Sequence, residues 1–132
     1  MGSAVEVILL DTSVVIALRK KNDVHHQVAV ESLERYRGKV AISTITLTES
    51  LIQPMQQSGA IGRELALAIT NSLDHIYDFT AAMAIEAAEI RSQGKLTMAD
   101  AMISATAGAH QAQLWTLDAK LAKAHKGARL LA

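Results

Sequence analysis

The sequence contains no cysteine. Disulfide scaffolds, cysteine nucleophiles, iron–sulfur clusters and cysteine-ligated zinc are therefore excluded. A thiol-free chain is compatible with a reducing compartment, and the cytoplasm is the expected location. No purely apolar run, Val7–Leu10 included, approaches the roughly 18 residues of a membrane-spanning helix. The opening Met1-Gly2-Ser3-Ala4 lacks the basic stretch of a secretory signal, so neither membrane insertion nor export is expected. Aromatics are scarce: Tyr36, Tyr77, Phe79 and Trp115 are all there are. Base-stacking platforms are correspondingly poor, and any nucleic acid has to be held mainly through its backbone. No P-loop signature is present, so nothing points to nucleotide-driven work. There is no excess of either charge sign, with 13 basic and 13 acidic residues, which is not the balance of an overall basic nucleic-acid binder.

Half the residues are apolar and only 20% are charged, which excludes an intrinsically disordered chain. A length of 132 residues suits one domain, expected to span residues 1–132. The neutral total conceals a pattern. Between Val40 and Asp118 there are 8 acids and 3 bases, whereas Ala119–Ala132 holds Lys120, Lys123, Lys126 and Arg129 and no acid. Solvated faces account for this, as does a basic rim for an anionic partner.

Short apolar strands alternate with longer helical stretches. Strands are expected at Val5–Leu10, Val40–Ser43, His75–Phe79, Gln113–Thr116 and Ala128–Leu131. Helices are expected at Ser13–Leu18, Val24–Arg37, Thr46–Ser58, Gly62–Leu73, Ala81–Ser92, Met98–His110 and Ala119–His125. Pro54 should disturb the third helix, and Gly59 should end it. Strands alternating with helices imply an α/β fold: a three-layer α/β/α sandwich around a mostly parallel sheet of about five short strands. Sites in such sheets lie beyond the carboxyl ends of the strands.

Four acids stand at or near such ends. Asp11 follows the first strand, Glu49 the second, and Asp118 the fourth, while Asp100 sits in the first turn of the helix before the fourth strand. Taken singly, each is explained by helix capping. Asp11 and Asp118 suit N-caps, and Thr46-x-x-Glu49 and Thr97-x-x-Asp100 suit capping boxes. If the strands are neighbours, however, the acids converge. Convergent carboxylates either take up protons or hold a cation. An all-oxygen site favours Mg2+ or Mn2+, an ion suited to phosphoryl-transfer chemistry.

The strings Val7-Ile8-Leu9-Leu10-Asp11-Thr12-Ser13, Ser43-Thr44-Ile45-Thr46-Leu47-Thr48-Glu49, Leu96 to Ala107 around Asp100, and Leu114-Trp115-Thr116-Leu117-Asp118 resemble the PIN domain, and within it the VapC-type toxin ribonucleases. The likeness covers essentially the whole chain, in order. It implies a metal-dependent endoribonuclease with Asp11, Glu49, Asp100 and Asp118 as its acids. Asp11 and Asp100 would be the foremost ligands of Mg2+ or Mn2+, Asp118 the next, and Glu49 would act through water. Thr12 and Thr116 match hydroxyl residues that support the acids. Trp115 departs from the family pattern, where a small aliphatic residue is more usual, and it is read as core. The resemblance further implies a homodimer neutralised by a cognate antitoxin. The nearly all-round apolar helix Glu64–Leu73 and its neighbour Leu47–Met55 are the surface expected for one of those partners. Lys120 and Lys123, close after Asp118, are candidates for holding RNA.

Two other readings share the same strands. A flavodoxin-like phosphoacceptor domain would want paired acids after the first strand, and only Asp11 is there. An inactive PIN-like binding module would not be expected to retain all four acids. His25-His26 points to different helix faces and reads as a solvated helix start. His110 and His125 fall near helix C-termini, where the dipole favours positive charge. The Gly59-Ala60-Ile61-Gly62 string reads as a helix stop and start, and Met83, Met98 and Met102 as core filling.

Overall fold

A computed structural model describes residues 6–132. Val5, expected at the head of the first strand, and Met1–Ala4 lie outside the described residues. Twelve elements follow one another among the described residues: β1 Val7–Leu10, α1 Thr12–Arg19, α2 His26–Arg35, β2 Lys39–Ser43, α3 Thr44–Gln57, α4 Gly59–Ser72, β3 His75–Tyr77, α5 Ala81–Ser92, α6 Met98–Ala109, β4 Gln113–Thr116, α7 Ala119–Ala124 and β5 Arg129–Leu130. The expected order and type of every element are observed.

All strand pairs are parallel, in the order β3-β2-β1-β4-β5. Leu9 stands beside Ala41 on β2 and Leu114 on β4. The chain therefore builds outward from β1 to β3 on one side, then returns to build β4 and β5 on the other. Such a reversal opens a crevice beyond the carboxyl ends of β1 and β4, where ligands of open α/β sheets bind.

Alternation along the central strands sends side chains into two cores. Ile8, Leu10, Ile42 and Trp115 pack on one face with Val14, Val15, Ala17, Ala29 and Ile69. Leu9, Ala41 and Leu114 pack on the other with Leu96, Ile103, Ala107 and Leu121. Helices thus cover both faces, which is the expected α/β/α sandwich. Burial on both faces is why β1 reads as a continuous apolar run instead of an alternating one. Trp115 is core as expected: its ring meets Tyr36 edge-on at 5.5 Å and lies under the Arg129 guanidinium.

Several boundaries differ from expectation, each for a local reason. The third helix begins at Thr44, because Ser43 caps it by accepting from Ile45 N at 3.0 Å. Thr46 is therefore not the cap, and the Thr46–Glu49 capping box does not form. Pro54 is buried within α3 without ending it. The break comes at Ser58, whose extended backbone (φ −165°, ψ 150°) closes α3 while its hydroxyl caps α4. Gly59 is thus the first residue of α4, not the end of α3. Gly94, at φ +75°, makes the sharp turn between α5 and α6. Met98 is 65% exposed, so it does not fill the core as Met83 does. His26 is no mere solvated start: its Nδ1 lies 2.7 Å from Ala17 O and ties α2 to α1.

Candidate active site

Asp11 is the first residue past β1 and is 3% exposed. Its Oδ1 caps α1, accepting from Val14 N at 3.0 Å and from the Ser13 hydroxyl at 2.5 Å. Its Oδ2 accepts a short hydrogen bond from the Thr116 hydroxyl at the end of β4. Both hydroxyls also accept. Ser13 Oγ takes Leu117 N at 3.1 Å, and Thr116 Oγ1 takes Asp118 N at 2.9 Å. The two side chains thereby fasten the end of β4 to the end of β1. Asp118 N-caps α7, its Oδ1 2.9 Å from Lys120 N.

Glu49 arrives from β2 by way of α3. With the helix starting at Thr44, Glu49 sits in its second turn, beyond the reach of a capping role. Its Oε1 lies 2.5 Å from Thr12 Oγ1, which is itself 3.2 Å from Thr46 Oγ1. A hydroxyl carries one proton. Thr12 therefore donates to the Glu49 carboxylate and accepts from the buried Thr46. Asp100 lies in the first turn of α6, whose cap Thr97 accepts from Asp100 N at 3.2 Å.

All four acids consequently occupy the pole beyond β2, β1 and β4, and their charges reach one another. Burial pushes the Asp11 carboxyl above the usual carboxylate range, against the bonds from Ser13, Thr116 and Val14, and the charge of Asp118 adds to the push. Burial also raises Asp100. The Thr97 hydroxyl opposes the rise, and the charges of Asp118, Asp11 and Glu49 reinforce it. No base is ion-paired with these acids: the one salt bridge among the described residues joins Lys39 to Asp74. Among those residues no trio of His, Cys, Asp or Glu is already drawn to one point as in a formed metal centre. Each acid is instead held by its own hydrogen bonds. The donor set is all oxygen and none of its carboxylates has a salt-bridge partner among the described residues. It therefore fits a hard divalent cation such as Mg2+ or Mn2+.

The capping expectation for Asp11, Asp118 and Thr97 and the convergence expectation hold together, since a carboxylate has lone pairs enough for both. Thr12 and Thr116 touch Glu49 and Asp11, as the resemblance implies. Two groups escape a reading of the sequence. Ser13 lies two residues after Asp11, a spacing at which a hydroxyl reaches back to a helix-capping acid. The buried Thr46 has no local signal beyond its hydroxyl. Lys120 and Lys123 are exposed on α7, the helix that Asp118 caps. His125 does not behave as the dipole argument expects: burial lowers its pKa, and Nδ1 sits 2.6 Å from Ser104 Oγ.

A sequence model of the PIN domain matches residues 8–127. Among solved structures, a toxin–antitoxin complex from Klebsiella pneumoniae superposes with a TM-score of 0.78 at 25% identity, over 95% of this chain and 98% of that one. FitAcB from Neisseria gonorrhoeae gives 0.73 at 27% identity, over 92% and 94%. VapC20 from Mycobacterium tuberculosis, described as a sarcin–ricin loop cleaving toxin, gives 0.76 at 23%, over 89% and 94%. No curated protein matches by sequence.

Proposed function

The chain belongs to the PIN domain family, and from that premise we propose that it is a metal-dependent endoribonuclease, the toxin of a toxin–antitoxin pair. The observation that carries this reading is the set Asp11, Glu49, Asp100 and Asp118 gathered beyond the central strands with no ion-paired base among the described residues. Asp11 and Asp100 would hold Mg2+ or Mn2+ directly, with Asp118 and Glu49 completing the set directly or through water. The ion, when bound, offsets the negative charge of the phosphodiester and lowers the pKa of a water.

The chain's own residues orient the reaction. Ser13 and Thr116 fix both oxygens of Asp11. Thr12 fixes one oxygen of Glu49 and leaves the other to accept a proton from the attacking water. The water oxygen bonds to phosphorus, the bond to the leaving ribose oxygen breaks, and that oxygen takes up a proton from solvent.

The antitoxin partner is supported by the toxin–antitoxin complexes among the structural neighbours. Ile52, Met55, Ile61 and Leu67 leave an exposed apolar stripe on the α3–α4 hairpin, a surface for that antitoxin or for a second copy of the chain. No helix among the described residues is long and apolar enough to cross a membrane, and the cytoplasm, where RNA and antitoxin meet, is the proposed location.

A nuclease assay tests the proposal. The purified chain should cleave RNA in Mg2+ or Mn2+, lose cleavage in EDTA, and regain it on readdition. Full activity in EDTA, from a preparation in which Asp11→Asn is inactive, would refute the metal role.

A further inference from the structure

We infer that Lys95, Lys120 and Lys123 form a single phosphate-binding groove along which the RNA backbone leaves the acidic pole. This inference rests on the nuclease reading and adds to it the path of the substrate. The three side chains line one open hollow of about 440 Å3, together with Ala124. They come from two loops and helices that also carry two of the acids. Lys120 N is bonded to Asp118 Oδ1, and Lys123 follows at i+3 on a similar face of α7. Lys95 lies between the turn at Gly94 and Leu96, which is buried in the second core. Two residues further on is Thr97, the cap of the helix bearing Asp100. The groove is therefore built from the two segments that carry Asp100 and Asp118.

The charges are available. Each lysine is exposed, and none is paired with a carboxylate among the described residues. The three exposed lysines line one hollow, so a polyanion seated there meets all three charges. No aromatic side chain lines the hollow, so it offers no stacking for bases. A grip on phosphates alone is tolerant of sequence and strongly dependent on salt. A second hollow, lined by Asp118 itself with Asp23 and His25, holds no lysine or arginine. A strand crossing the acids is accordingly held at the lysine hollow and loosely met at the other.

The test measures binding of a fluorescent single-stranded RNA to the full chain by anisotropy, in EDTA so that nothing is cut, from 50 to 200 mM salt. The variant Lys95→Ala/Lys120→Ala/Lys123→Ala removes three exposed charges and should melt like the parent. It should bind more weakly, and its slope of log K against log salt should fall by about 2, at about 0.7 per lost phosphate contact. Lys95→Ala alone should account for about a third of that fall. Lys21→Ala/Lys126→Ala, which removes two exposed charges outside the groove, should leave the slope unchanged. With Mg2+, the triple variant should show a raised KM and an unchanged kcat. Parent-like binding and slope in the triple variant would overturn the groove while leaving a cleaving parent a nuclease. An equal loss in the control variant would also overturn it, since charge anywhere would then suffice. Salt-dependent RNA binding lost in the triple variant, by a parent that never cleaves, would uphold the groove and refute the nuclease. A parent that neither binds nor cleaves RNA refutes both.

Discussion

Asp100→Asn separates two accounts of one carboxylate. The substitution keeps the size of the side chain and leaves the bond from residue 100 N to Thr97 intact. It removes only the charge. Were Asp100 there to serve its helix, a first-turn acid would contribute about 0.3–1 kcal/mol. Losing it would lower Tm by roughly 1–5 °C in a chain of this size. The structure argues for the opposite sign. Burial and the charges of Asp118, Asp11 and Glu49 together outweigh the Thr97 hydroxyl, and the pKa of Asp100 stands above its ordinary 3.8. A carboxyl whose folded pKa is raised opposes folding once it ionises. As pH climbs from 3.8 the unfolded chain gives up its proton first, so stability falls until the raised value is passed, and the full penalty persists above it. Every tenfold difference in proton affinity between the folded and unfolded chains is equivalent to about 1.4 kcal/mol, reduced here because Asp100 is only half-buried and solvent screens it. In EDTA at pH 7 and low salt, Asp100→Asn should therefore melt at the parent's temperature or above. The advantage should shrink in high salt and vanish below about pH 4 as the parent carboxyl protonates. Adding Mg2+ should raise the parent's Tm by mass action and leave the variant's unmoved. Differential scanning fluorimetry reads all of these. A variant that melts lower in EDTA by the size of a lost cap, and still responds to Mg2+, would refute the reasoning.

Two further perturbations probe the scaffold. Thr116→Val strips the donor from Asp11 Oδ2 and the acceptor from Asp118 N in a place with no solvent exposure, and should cost about 1–3 kcal/mol in urea denaturation. An unchanged midpoint would show that those bonds contribute nothing. His125 is held neutral by burial, with its folded pKa below the ordinary 6.5. The unfolded chain therefore binds its proton first as pH falls from 6.5, and stability should decline through that window. His125→Asn should flatten the decline between pH 7 and pH 5, and a slope identical to the parent's would contradict it.

The elements are legible in the sequence because their signals are local. Val7–Leu10 is apolar on both faces, Ala81–Ser92 starts after a threonine cap, and Gln113–Thr116 follows a clear helix end; each lies within a residue or so of its expected bounds, Val5 aside. The start of α3 is not legible, because Ser43, Thr44 and Thr46 are all cap formers and the sequence does not choose among them. That difference matters for function, since it takes Glu49 out of the cap and leaves it bonded to Thr12. The convergence of the acids can be stated only conditionally from sequence. It depends on β1 lying between β2 and β4, and no local pattern encodes strand order. His125 misleads for a related reason: its place at a helix end is visible in the sequence, whereas the burial that outweighs the dipole is not. Lys95 is legible as a charge and not as a neighbour of Lys120, because their proximity is a property of the fold.

The bond from Thr116 to Asp11 spans 105 residues of chain. During synthesis the first acid therefore emerges long before the hydroxyl that anchors it, and before Asp100 and Asp118 exist at all. A growing chain can fold α1 and pair β1 with β2, yet β1 keeps a bare edge until β4 has been made and docked. The acidic pole cannot be completed until β4 and Asp118 have been made. On the nuclease reading, the order of the strands would leave the unfinished chain without its full set of acids while it is still attached to the ribosome.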